Sequence, residues 1–140
     1  MIHGKTLPGD IKQRLETLGE ALSSCPGLLF AYMFGGAGVG RLTPLSDVDV
    51  AVFLENAQDP IDQAASLLTK VTAHLGTDEV DLIVLNQAPT ALLGRILQSR
   101  RVIFDGAPFM RHRFESQALR EFFDFRIFER RLLDRRYAHG

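Results

Sequence analysis

The 140-residue chain has a single cysteine, Cys25. That excludes an internal disulfide, and a lone thiol without clustered His or Cys neighbours excludes a cysteine-based metal site, leaving a small buried or half-buried side chain. Long apolar runs are also missing. The longest, Leu28 to Phe34, is seven residues, against the roughly 20 that a membrane-spanning helix needs. The first residues lack the charged-then-apolar order of a signal peptide, so no membrane association and a cytoplasmic location are expected. There is no internal repeat, linker or low-complexity tract. The four histidines, His3, His74, His112 and His139, have no ligand spacing and are read as surface or cap residues.

What is present is enough for one folded unit. With 46% hydrophobic residues, a chain of this length buries an ordinary core, and residues 1–140 are expected to form a single domain. The net charge of -1 hides an asymmetry. Residues 100–140 carry 10 basic and 6 acidic side chains, whereas residues 1–99 carry 6 basic and 11 acidic ones. A basic C-terminal third on an acidic body suits nucleic acid, the phosphates of a nucleotide or an acidic protein partner, and equally suits a solvated helix face laced with i,i+4 pairs.

Apolar periodicity predicts a first helix over Pro8–Ser23 with Ile11, Leu15, Leu18 and Leu22 inward, closed by Cys25-Pro26-Gly27. Leu28–Phe34 reads as a buried strand that stops at Gly35-Gly36-Ala37-Gly38-Val39-Gly40, a loop or close-approach turn. A second strand is expected over Val48–Leu54. After a turn at Asn56–Pro60, a helix follows over Ile61–Leu75, with Ile61, Ala64, Ala65, Leu68 and Val71 on one face. Val80–Leu85 is a third strand, placed centrally because it is apolar apart from Asp81. A short helix over Thr90–Gln98, a fourth strand over Arg101–Phe104 and a long helix from Pro108 to about Tyr137 complete an α/β (α+β) chain: a mixed sheet of about four strands flanked by helices.

The richest segment is Ser46-Asp47-Val48-Asp49-Val50-Ala51-Val52. Side chains alternate along a strand, so Asp47 and Asp49 leave the same face about 6.6 to 6.8 Å apart while the valines enter a core. Like charges so placed repel, and divalent cations are a natural compensation because carboxylates can flank them and still leave positions open for phosphate oxygens. Asp81 is a third acid. If its strand lies beside the second, it converges on the pair. The glycine bend 12 residues upstream lets backbone approach a phosphate-bearing ligand closely. It is not a P-loop: Arg41 and Leu42 follow where Lys and Ser or Thr belong, and Pro44 forbids the long helix that should come next. Nor does G-x-G-x-x-G fit, because Arg41 stands where the third glycine is needed.

These residues resemble the minimal nucleotidyltransferases of the polymerase-beta superfamily. Their signature is Gly-Ser after a first strand, ten residues, Asp-x-Asp on the next strand, and a third Asp one helix later. Here Gly35-Gly36 precedes ten residues, Ala37 to Ser46, then Asp47-Val48-Asp49, with Asp81 after the following helix. The resemblance implies that Asp47, Asp49 and Asp81 hold two Mg²⁺ ions, that Asp81 takes the proton of the attacking hydroxyl, and that Gly35 and Gly36, with Arg41 and Ser46, bind ATP. It departs at Gly36, which replaces the family's serine, and at Val39, where an arginine is frequent. A lost hydrogen bond to a charged group, about 1.5 to 3 kcal/mol, implies nucleotide binding about 10- to 150-fold weaker and activity reduced rather than abolished.

The final helix carries Phe114, Ala118, Phe122 and Phe125 on one stripe and Leu119, Phe123 and Ile127 on another, more apolar surface than one core face requires. Proteins similar in this way are antitoxins that attach AMP to a tyrosine of a HEPN-family ribonuclease toxin, so the resemblance implies a hetero-oligomer with such a partner. A degenerate antitoxin acting by binding alone, or transfer to a small molecule or RNA, are the alternatives; RNA is less favoured.

Overall fold

The computed structural model describes residues 6–55 and 60–138. Most of the turn expected at Asn56–Pro60 lies outside the described residues, as do His3 and His139. The elements run α1 (Ile11–Glu16), α2 (Leu18–Leu22), β1 (Leu28–Phe34), α3 (Gly35–Gly38), β2 (Val48–Leu54), α4 (Pro60–Leu75), β3 (Val80–Val84), a 3-10 turn at Leu85–Gln87, α5 (Thr90–Ser99), β4 (Arg101–Asp105) and α6 (Pro108–Ala138).

The strands form one four-stranded sheet in the order β3-β2-β1-β4. β1 pairs antiparallel with β2 and β4, whereas β2 and β3 are parallel, connected through α4. Strand alternation divides the apolar residues into two layers. Ala31, Met33, Val48, Val50, Val52 and Leu54 pack against α1, α2 and α4. Phe30, Tyr32 and Ala51 face α5 and the first turns of α6. Two glycines allow the helices to come this close: a side chain on Gly19 would collide with the backbone carbonyl of Ile103, and one on Gly94 with the ring of Phe122.

Four expectations are corrected. The first helix is two, broken at Thr17, whose hydroxyl donates to the Arg14 carbonyl at 3.2 Å. His74 Nε2 packs there, 2.8 Å from Thr17 Oγ1 and 3.0 Å from the Arg14 oxygen, so this half-buried histidine ties α4 to the break. Second, the bend after β1 closes into one helical turn. Third, α4 buries Leu67, Val71 and Leu75, while Ile61 is 79% exposed. Fourth, β3 is an edge strand, not a central one.

The start of α6 is anchored by a polar cluster. Glu115, buried beneath the helix, accepts from Tyr32 Oη at 2.8 Å, Arg100 Nε at 2.9 Å and Arg111 Nη1 at 3.1 Å. Arg111 also donates to Asp105 at 2.9 Å. Burial, then the Glu115 hydrogen bond and charge, push the Tyr32 phenol well above its ordinary range. From Phe123 to Tyr137 every residue of α6 is exposed, including Phe123, Phe125, Ile127, Phe128, Leu132 and Leu133. No helix among the described residues is long and apolar enough to cross a membrane.

Candidate active site

β1 ends because Gly35 takes a left-handed conformation, φ +63°, open to glycine at little cost. The same glycine is required by proximity: a Cβ built there would lie 2.6 Å from Asp49 Oδ2. The bend is therefore pressed onto the carboxylate. Its N–H is already used, donating to Ser99 Oγ at the end of α5 at 2.8 Å. Gly38 is fixed in the same way, since any side chain would strike the Ser99 carbonyl.

Asp49 is the second residue of β2 and half-buried, and it projects from the sheet face that carries Ala51. In the parallel β2–β3 ladder, Asp49 is paired with Asp81, one step after Val48 with Val80. Asp47 lies just before β2 and, like Asp81, is exposed. The three acids expected to converge are thus gathered at one end of the sheet. Because β3 is an edge, Asp81 escapes the burial that a central strand would impose. The cost falls on Asp49, whose carboxyl is pushed up to about 6 by burial, then by the charge of Asp81 and that of Asp47. Among the described residues none of the three acids forms an ion pair.

An uncompensated group of oxygen donors suits a hard divalent cation. Among the described residues, no group of three His, Cys, Asp or Glu side chains is arranged to hold a metal as it stands. The acids are gathered but not closed into a cage.

The remaining expected residues differ in how they are placed. Gly36 borders the bend, and a Cβ there would meet only the Arg41 carbonyl group, its oxygen at an ordinary 3.5 Å. Arg41 is exposed and its backbone N–H donates to the Gly36 carbonyl at 2.7 Å. Ser46 spends its hydroxyl inside the turn before β2, accepting from Thr43 N at 2.8 Å and lying 2.9 Å from Thr43 Oγ1. Beside Asp49 an open groove of about 470 Å³ runs between Gly35 and α5, bordered by Arg95, Gln98 and Ser99. Sequence reading missed these α5 residues. The i,i+4 spacing of Arg95 and Ser99 places them on one helix face, but nothing local marks that face as lying against Asp49.

Residues 16–108 match the family model described as polymerase beta, nucleotidyltransferase. No curated protein matches the chain in sequence. Among solved structures it is similar to a Shewanella oneidensis complex of a tri-AMPylated HEPN toxin with MNT antitoxin, at 19% identity and TM-score 0.66, covering 89% of this chain and 96% of that one. It is also similar to a toxin–antitoxin structure with AMP-PNP, at 21% identity and TM-score 0.69, covering 86% and 95%. A mutant toxin–antitoxin MntA–HpeT structure aligns at 20% identity and TM-score 0.71, over 86% and 95%. Such likeness establishes a shared fold over nearly the full length. With the glycine bend, the Asp47-Val48-Asp49 strand start and the in-register Asp81 all inside the matched residues, the chain belongs to the polymerase beta nucleotidyltransferase family.

Proposed function

We propose that this protein is an antitoxin that transfers AMP from Mg-ATP to a tyrosine hydroxyl of a cognate HEPN-family toxin, and that it works in the cytoplasm as a hetero-oligomer with that toxin. The observation that carries the reading is the pairing of Asp49 with Asp81 across parallel strands, with Asp47 before them and Gly35 pressed onto Asp49. Three oxygen donors without a cationic partner among the described residues fit a pair of Mg²⁺ ions, held by Asp47 and Asp49 with Asp81 completing the set. The ions would neutralise the triphosphate and polarise the reacting phosphorus.

The chain's own residues position the reaction. Gly35 and Gly36 place no side chain at the bend beside Asp49, and exposed Arg41, whose N–H donates to the Gly36 carbonyl, adds positive charge next to it. The acceptor oxygen attacks the α-phosphorus, the bond to the bridging oxygen of the β-phosphate breaks, and pyrophosphate leaves. The acceptor proton passes to Asp81, whose exposed position on the edge strand is open to an incoming protein. Positioning and charge neutralisation suffice for such a transfer. The AMP-PNP of one structural neighbour and the tri-AMPylated toxin of another support the choice of nucleotide and acceptor.

Incubation with the HEPN protein, ATP and Mg²⁺ should add one or more AMP masses to that protein, and Asp47→Ala should abolish the addition. A silenced but unmodified partner would overturn the transfer reading. The bare apolar surface of α6 favours a second reading, neutralisation by complex formation alone. Full neutralisation by an Asp47→Ala, Asp49→Ala double variant would select it.

A further inference from the structure

A triphosphate brings several negative charges to a site that already holds three carboxylates. Bound cations would offset part of that repulsion, and Gly36 offers no hydroxyl at the position where the resemblance to the nucleotidyltransferases implies a serine. The groove beside Asp49 contains what the bend lacks. Ser99 Oγ accepts the Gly35 N–H at 2.8 Å, which leaves its own O–H without an acceptor among the described residues. One helical turn earlier on the same face of α5 stands Arg95, exposed and without an ion pair among the described residues. Among the described residues it is the only Lys or Arg bordering the groove.

We propose that Ser99 and Arg95 are nucleotide-binding residues that hold the β- and γ-phosphates from α5, with Ser99 supplying the hydroxyl donor that Gly36 does not. This rests on the nucleotidyl-transfer reading of the same site. The Gly35 contact fixes the Ser99 oxygen against the bend, so its proton is the group left to turn toward a phosphate oxygen. Arg95 presents a planar fork of donors suited to two phosphate oxygens at once. The hydroxyl is thus offered from the helix packed on the bend rather than from the bend itself.

The test is calorimetric binding of AMP-PNP and of AMP to the full chain with Mg²⁺. Ser99→Ala should weaken AMP-PNP binding about 10- to 150-fold, the range of one hydrogen bond to a charged group, and leave AMP binding unchanged. Arg95→Ala should behave likewise. Ser99→Thr should retain binding, and Gly36→Ser added to Ser99→Ala should restore much of it, because a Cβ at position 36 makes only ordinary contacts. Unchanged AMP-PNP binding in both alanine variants would overturn the assignment while leaving the transfer reading intact. Equal losses for AMP and AMP-PNP would also overturn it, since Ser99 would then only brace the bend. A wild-type chain that binds neither nucleotide would sink the transfer reading, and this assignment with it.

Discussion

Asp49 and Asp81 are paired in register on parallel strands, two like charges with no basic side chain ion-paired to either among the described residues. The Asp49 carboxyl titrates near 6 in the folded chain, against 3.8 ordinarily, through burial, then Asp81, then Asp47. A raised carboxyl pKa favours folding below the unfolded value, and that contribution is lost as pH rises through the folded one. The metal-free protein should therefore lose stability between about pH 4 and pH 6, as followed by thermal melting. Discounted for solvent screening, the effect is about 1 kcal/mol, or roughly 3 °C. Asp49→Asn should flatten this dependence and abolish transfer. Added Mg²⁺ should raise the melting temperature of the wild type at pH 7 but not that of the variant.

Gly35→Ala places a methyl group 2.6 Å from Asp49 Oδ2 in a backbone conformation that disfavours it. A loss of about 1 to 3 kcal/mol in urea unfolding is expected. Asp49 must also move, so Mg²⁺-dependent nucleotide binding should fall further than stability alone explains.

Removing Glu115 leaves Arg100 and Arg111 short of a shared partner and Tyr32 without its acceptor. Glu115→Ala should cost about 3 to 5 kcal/mol, as for a broken buried ion pair. Glu115→Gln, which keeps an acceptor oxygen, should cost less. Urea midpoints of the two variants provide the comparison.

Gly94→Ala should force α6 away from α5, because the added carbon meets the Phe122 ring. Overpacking of this kind costs about 1 to 3 kcal/mol. Combined with Phe122→Leu, the penalty should be smaller than the sum of the two single losses, a coupling that a double-mutant cycle on chemical denaturation measures directly.

Local punctuation made much of this architecture readable. Left-handed Gly27 and Gly35 bracket β1, and the bounds expected for it, Leu28–Phe34, are those observed. Strand alternation put Asp49 opposite the buried valines before any contact was visible. The face of α4 was misjudged because two overlapping arcs share Val71, and only packing against the sheet selects Leu67 and Leu75 over Ile61 and Leu68. β3 looked central because apolar content reports coverage by helices and neighbouring residues, not the number of paired edges. Ser99 and Glu115 were missed for a different reason. Their partners Gly35 and Tyr32 lie 64 and 83 residues away in the chain, and no local period encodes such a meeting.

The second half of α6, exposed at every residue from Phe123 to Tyr137, has a consequence for how the free protein behaves. A helix stretch of that length held only at one end is marginal in water. Its amide hydrogens should exchange with deuterium orders of magnitude faster than those around Glu115, and slow sharply when another chain covers the apolar rows. Proteases that clip fraying ends should shorten the isolated protein here first. The abundance of intact protein in a cell would then follow how much of it is engaged, with unengaged copies cleared soonest.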